Sequence, residues 1–518
     1  MKKTKLTLVG KIVIFVFVLA LVLGGVFLIG GFNFSKDDND TPSKDTKTTQ
    51  NSNVSNELPK NENSNNEINL SLTEKISWKP ILDANGGLTT QPGSVYDKLG
   101  IKVNIKIDGD AVSISNDFIE NNVNALAYTI NRYAGTYKKF KDNNAEPIMP
   151  YIVDSSDGSD GIVVKEGINS VNDFIGKKIA VPNLTAAQTM IWWLMLKSDL
   201  NEDQIEKIKS NMTLYKSTVA ASEAFFKGEA DVVVTRQPYL TNAKNTPGMK
   251  VLFTTKSANN LILDGILFRK DFADQNPEVV SKFIDGALQS ININTFDNIK
   301  TIDIFKDKTD EELNQMLTEL KFSDYSANHN LLNGVSQDLF NDMNKVWNKI
   351  GESVDNDAAS KAFSTKFIDG LSSKYTLEKV ETKTVDEETR QKALSQDNDE
   401  ALLKKSTTIN FKSNSAKFVN EDEAKKALNE FINIAQFLDG AIIQIEGNIA
   451  GKDNSEVGKQ LSLQRAKTVA EYLKQQGVDP SRFVVVGNGT SKQIASNDTE
   501  EGMKKNRRTD IVFKIVEE

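Results

Sequence analysis

The longest hydrophobic run covers residues 12–32, which carry no charge and follow Lys2, Lys3, Lys5 and Lys11. It is long enough to span a membrane as a helix and longer than the core of a usual signal peptide. The lysines would hold the N-terminus in the cytoplasm and leave the remainder outside. A cleaved signal peptide is the alternative. From 33 to about 69 the apolar positions almost vanish among Asn, Ser, Asp, Lys, Glu and Thr. Such a composition cannot collapse, so residues 33–73 are expected to form a disordered tether behind a membrane anchor at 1–32.

Hydrophobic order returns between 74 and 374, where short β-branched runs alternate with amphipathic stretches. The pattern predicts strands at 76–80, 101–107, 125–129, 148–153, 162–164, 178–181, 231–235, 250–254 and 262–269. A helix is expected to start near Thr185 and another to run over 219–226, and beyond 269 the chain reads as mostly helical. Asp83 to Gly87 reads as a polar turn. Strands alternating with helices imply an α/β fold with largely parallel sheets, which binds small molecules at strand ends. The stretch 161–197 carries the strongest local signal. A strand feeds the turn Pro182-Asn183-Leu184-Thr185 and then a helix, which aims unpaired N–H groups at one point suited to an anion. Asn183 and Thr185 either cap that helix or touch a ligand.

Charge runs dominate 375–406, which is expected to be a linker. The last stretch, 407–518, again shows two periods. Strands are expected at 407–411, 442–446, 483–486 and 511–515. Amphipathic helices are expected at 421–438 and from 460, the second capped by Ser462. That order predicts an α+β sandwich with helices on one sheet face.

Composition narrows the chemistry. The chain has 518 residues and a net charge of -8, so several domains are expected and a general nucleic-acid-binding role is disfavoured. It has no cysteine, which removes disulfides, thiolate zinc sites, cysteine nucleophiles and a lipoprotein anchor. Its one histidine, His329, stands in a polar helical stretch and reads as structural or exposed. No metal and no cofactor are expected. Trp78, Trp192 and Trp193 read chiefly as core residues.

Ordered segments over 74–374 resemble a known family. They are Trp78-Lys79-Pro80, Asp160-Gly161-Ile162-Val163-Val164, Gly176 through Pro182, Ala224 through Asp231, Asp264-Gly265, and Arg269-Lys270-Asp271-Phe272 with Asn276-Pro277-Glu278. This set resembles the SsuA/ThiY/TauA-type periplasmic substrate-binding proteins of ABC transporters. The resemblance implies a two-lobe, type II periplasmic-binding-protein-like domain that is not an enzyme. Hinge crossings are expected near 157–161 and 254–260. It points to Asp83, Asn85, Tyr128, Thr129, Asn183, Thr185, Arg236 and Asp264 as ligand-binding positions. Arg236 suits a carboxylate or sulfonate and Asp264 an amine. The implied partners are a small anionic or zwitterionic solute and a transporter permease.

The last region carries an ordered motif: Leu461, Ser462, Arg465, Ala466, Val469, Tyr472 and Leu473, then Gly477-Val478, Arg482, Gly487, Gly489 and Asn506-Arg507-Arg508. This set resembles the OmpA-like peptidoglycan-binding domain. The resemblance implies that Asn448, Ser462, Arg465, Asn506 and Arg508 face the peptidoglycan stem, with Arg465 on its carboxylate. The family's aspartate is missing, because Ala450 stands in its place, and Asp453 or Asn448 is left as a substitute. The chain therefore reads as a single-pass cell-envelope protein, a membrane-anchored solute binder with a wall-associating domain. A structural, wall-tethering or sensory role without transport is the alternative. Proton conduction is disfavoured, since 12–32 holds no acidic residue.

Overall fold

A computed structural model describes residues 66–378, 385–398, 401–412, 414–451 and 455–515. The apolar run 12–32 and Asp453 lie outside these residues. Among the described residues no helix is long and apolar enough to cross a membrane.

The chain starts a first lobe with β1 (Glu67–Leu72), β2 (Lys102–Ile107), β3 (Ala125–Thr129) and β4 (Pro147–Ser156). It then builds a second lobe from β5 (Asp160–Lys165), β6 (Ile179–Pro182), β7 (Met212–Tyr215), β8 (Val232–Arg236) and β9 (Met249–Thr254). It returns to the first lobe through β10 (Leu263–Arg269) and β11 (Leu320–Phe322). The sheet orders are β11-β4-β10-β3-β1-β2 and β7-β6-β8-β5-β9. The chain crosses between lobes after β4 and after β9, close to the two expected positions. Neither sheet is largely parallel. β10 runs antiparallel to both β3 and β4, and β5 runs antiparallel to β8 and β9. The reason is the crossings, which bring strands into each sheet from the other lobe rather than over a helix.

Three expectations shift in lobe 1. The tether does not extend to 73, because β1 pairs with β2 and β3 and buries Ile68, Leu70 and Leu72. Residues 76–80 are not a strand: a 3-10 turn at Ile76–Trp78 leads into α1 (Lys79–Asn85), with Pro80 in its first turn where no N–H is needed. The expected turn from Asp83 is the end of that helix, stopped by Gly86 at φ +75°. The other helices that matter are α2 (Ala111–Ile119), α3 (Ile130–Asp142), α4 (Ala186–Lys197) and α5 (Ser336–Ile350).

The charged stretch 375–406 is only partly a linker. It contains a helix at Glu387–Ser395, and β12 (Leu403–Thr407) opens the C-terminal sheet. That sheet continues with α6 (Glu421–Phe437), β13 (Ile442–Asn448), α7 (Glu456–Gln475), β14 (Phe483–Gly489) and β15 (Thr509–Lys514), in the order β12-β15-β13-β14. Ser455, not Ser462, caps α7. Ser462 is fully buried, because α7 crosses β13 too closely for a side chain there. A Cβ on Gly447 would lie 2.0 Å from the Ser462 carbonyl oxygen.

Candidate functional site

The region between the lobes is built at the ends of β1, β3, β6, β8 and β10. Thr129 on β3, Asp264 on β10 and Asp154 on β4 are directly opposite one another in register. Cross-strand partners share a sheet face, so these three side chains stand in a row. Lys75, just after β1, places its ammonium 2.9 Å and 3.0 Å from the two Asp264 oxygens, and the Ser77 hydroxyl reaches one of them at 3.4 Å. Burial alone would lower the Lys75 pKa. The charges of Asp264, Asp160 and Asp154 outweigh it and hold the group above its ordinary value. Asp154 is wholly buried, and no donor reaches either oxygen in hydrogen-bonding geometry. Burial, then the Asp264 charge, pushes its pKa well above the carboxylate range, against a smaller pull from Ser77 and Lys75.

Lobe 2 supplies the opposite side. Arg236 ends β8, is exposed, and pairs in register with Asp160. Asp160 accepts from Ser156 at 2.9 Å and Ser159 at 3.1 Å, within the first crossing. Thr185 caps α4, accepting from the Gln188 N–H at 3.2 Å and donating to the Pro182 carbonyl at 2.9 Å. Asn183 is exposed, while its N–H is taken by the Tyr215 carbonyl at 2.8 Å.

Tyr128 faces the other side of the lobe 1 sheet from Thr129. Its hydroxyl lies 3.1 Å from that of Ser115, and the Arg132 guanidinium sits 4.6 Å from its ring centre. Here a cavity of about 500 Å³ is lined by Tyr128, Arg132, Val112 and Trp347 of lobe 1 and by Leu184 of the lobe 2 turn. Sequence reasoning missed Lys75, Asp154, Asp160 and Arg132. Asp83 and Asn85 are brought into neither place. Asp83 is paired with Lys79 at 2.5 Å and accepts from Asn298 at 3.0 Å. The Asn85 amide donates to the Gly87 and Val103 carbonyls at 2.9 Å and 3.1 Å. Both are buried within lobe 1, and their polar atoms hold α1 in place.

In the C-terminal domain the five expected positions separate into two groups. Arg465 is 8% exposed, donates to the Ser415 carbonyl at 3.1 Å, and lies 5.0 Å from the Phe411 ring centre. Burial, then the Arg507 charge, lowers its pKa, so two guanidiniums are electrostatic neighbours. Ala450 is half-buried and brings no ionisable group. The other four positions are likewise buried and bonded to protein, around Asp510 and at the end of β14 and the loop after it. Asn448 donates to Asp510 at 3.0 Å, and Arg508 meets both Asp510 oxygens at 2.9 Å. Ser462 accepts from the Gly489 N–H at 2.9 Å, and Asn506 accepts from the Ile494 N–H at 2.8 Å. Glu446, on the same sheet, gathers Lys492 at 3.0 Å and Asn398 at 2.7 Å. Burial would raise its pKa, but these partners hold it below the ordinary value. No three His, Cys, Asp or Glu side chains among the described residues are placed to hold a metal ion.

Residues 96–295 match the family model described as NMT1/THI5 like, and residues 410–507 match that of the OmpA family. Over 125 residues the chain is 37% identical to a peptidoglycan-associated lipoprotein of Buchnera aphidicola subsp. Baizongia pistaciae, covering 23% of this chain and 69% of that one. Over 89 residues it is 35% identical to outer membrane protein A of Bordetella avium, covering 17% of this chain and 46% of that one. The chain thus spans about half the length of the latter relative. Similar solved structures include the periplasmic aliphatic sulphonate binding protein SsuA of Escherichia coli, with TM-score 0.44 and 13% identity, covering 58% of this chain and 99% of that one. The periplasmic nitrate-binding protein NrtA of Synechocystis PCC 6803 has TM-score 0.42 and 11% identity, covering 59% and 88%. Through residues 410–507 the chain belongs to the OmpA family.

Proposed function

We propose that this chain is an extracytoplasmic solute-binding protein of an ABC transporter, held at the membrane by residues 12–32 and associated with peptidoglycan through its C-terminal domain. The match of residues 96–295 to the NMT1/THI5-like model supports the first role, as do two α/β lobes joined at two crossings. The name of the OmpA-family relative, peptidoglycan-associated lipoprotein, supports the second.

The observation that carries the solute class is the charge layout between the lobes. Asp264, Asp154 and Asp160 surround an ammonium, that of Lys75, while Arg236 and the capped start of α4 suit an anion. A zwitterion of amino-acid or aminosulfonate type matches both signs, with Thr129 beside Asp264, and Asn183 and Thr185 near the anionic end. A permease would then take the solute from the cleft. A wall-tethering or sensory role is the second reading, favoured by the fact that Lys75 already fills the carboxylates. Thermal-shift measurements of the purified chain against amino acids, aminosulfonates, alkanesulfonates and nitrate decide between them. A ligand at a hundred times its dissociation constant adds about 2.7 kcal/mol of stability. The proposal expects the zwitterions to shift the melt most, and a flat response to all four classes would leave the second reading.

A further inference from the structure

The end of α6, in the C-terminal domain, lies against the second crossing between the lobes. Asp439 accepts from the Asn259 backbone N–H at 2.8 Å and from its side-chain amide at 3.3 Å. Asn260 donates to the Gln436 carbonyl at 3.2 Å, and the Gly440 N–H donates to the Ser257 carbonyl at 3.1 Å. The two backbones approach so closely that a Cβ on Gly440 would lie 2.8 Å from the Ser257 Cα. Arg482 shapes this surface from behind, donating to the carbonyls of Ala435 at 2.9 Å and Ala441 at 2.8 Å, and to that of Leu438.

The same helix reaches further, onto α4. Phe437 meets Trp193 edge-on at 5.9 Å, and Asn433 accepts from Lys197 at 3.1 Å. Lys197 is paired with Asp342 of α5 at 2.9 Å, and Asp342 also accepts from the Trp193 indole N–H at 2.9 Å. The side chains of this pair are 8% and 1% exposed. α5 carries Trp347, whose indole donates to the Asn131 carbonyl of α3 in lobe 1 at 2.7 Å. A buried ion pair thus links a helix braced on lobe 1 to a helix of lobe 2, and α6 helps to cover it. On the lobe 2 side, Asp199 also accepts from the Ser406 N–H with both oxygens at 3.0 Å.

We propose that the C-terminal domain acts as a splint on the interlobe hinge, fixed at once to the crossing 257–260, to α4 and, through the buried pair, to α5. A change in lobe angle turns the crossing, so it must either carry the C-terminal domain along or break these contacts. The splint therefore makes solute-driven closure and the position of the wall-facing domain depend on each other. The inference concerns regulation of the interlobe region and rests on the solute-binding reading given above.

The absence of native cysteine permits a direct test in the full chain. The Asn259 side-chain amide and an Asp439 carboxylate oxygen lie 3.3 Å apart across the contact. Asn259→Cys with Asp439→Cys should be joined in most molecules by a short bis-thiol crosslinker. A folded protein in which the crosslinker joins no such pair overturns the docking. Restraint is read separately, from spin labels on Lys102→Cys in lobe 1 and Lys207→Cys in lobe 2. Adding Gly440→Leu should broaden the inter-label distance distribution. Asp439→Ala, which removes no backbone fit, should broaden it less and speed exchange of the Asn259 amide about tenfold. An unchanged distribution in the folded Gly440→Leu protein overturns the splint. Neither measurement uses a solute. A flat thermal-shift screen beside a formed crosslink removes only the solute reading, and a missing crosslink beside a positive screen removes only the splint.

Discussion

Ala450 and Arg465 set the wall-binding question at the level of single side chains. On the proposed wall-binding role, a stem-peptide carboxylate would pair with Arg465, with Arg507 adding positive charge nearby, whereas an ammonium would find no carboxylate at Ala450. A charged hydrogen bond is worth about 1.5–3 kcal/mol, or roughly ten- to hundred-fold in affinity. Peptidoglycan pull-down should therefore be weak for the natural chain, lost in Arg465→Ala and strengthened by that factor in Ala450→Asp. Both variants behaving like the natural chain would remove the family site from the account. Asp154 supports a second prediction, on pH. Its folded pKa is raised, so its contribution is fully favourable below the unfolded carboxylate value and is lost as pH rises towards the folded one. Each pH unit in that window costs up to about 1.4 kcal/mol. Asp154→Asn should melt like the natural chain near pH 4 and higher than it at pH 7. Asp154 escaped the sequence reading because strand register, not proximity in sequence, brings it to Asp264, and Lys75 and Asp160 because they stand outside that sheet, after β1 and in the first crossing. A signal was present, however, in Asp154, the carboxylate that directly follows the apolar run at 148–153.

Among the elements, β1 shows where local composition misleads. Its alternation of Ile68, Leu70 and Leu72 lies beside Asn-rich sequence, and the polar residues between look like more tether. Asn69 is instead tied to partners far along the chain, its N–H donating to Asn124 Oδ1 at 3.0 Å and its Oδ1 accepting from Asn104 at 2.9 Å. β1 stands between β2 and β3, so a chain beginning at residue 74 orphans β2 and exposes three buried aliphatic side chains, each worth about 1.5–3 kcal/mol. Such a truncation should lose cooperative unfolding by circular dichroism, while one beginning at residue 66 keeps it. The strands from β2 to β10 other than β7 were legible from their β-branched runs, and Thr185 from its place after Pro182; β7 was not, its middle residues Thr213 and Leu214 being exposed. Nor was β11, since two half-buried residues around an exposed lysine leave no period to read. The cap of α7 was misplaced because Ser462 opens a recognisable motif, although the helix had begun two turns earlier at Ser455.

The molecule as a whole departs most from a row of separate modules. Trp193 is almost wholly buried, and Phe437 packs against it from the C-terminal domain. A chain ending before residue 385 should show tryptophan emission shifted to the red and a lower melting temperature, because Trp193 and the Lys197–Asp342 pair gain solvent. An unshifted spectrum would mean that the domain contact is not kept in solution. No period in the sequence announced that contact, which joins helix faces that are 236 residues apart at Lys197 and Asn433. The position of β10 has a different kind of consequence, one of order in time. It sits between β3 and β4 in the first sheet, yet it is made after every strand of the second lobe. A growing chain can complete the second lobe from one continuous segment, while the first waits with β4 unpaired and one edge of β3 open. Those open edges are sites for pairing with other chains until residue 269 is available, so the interval between synthesis of β4 and of β10 is when this protein most needs a holding chaperone.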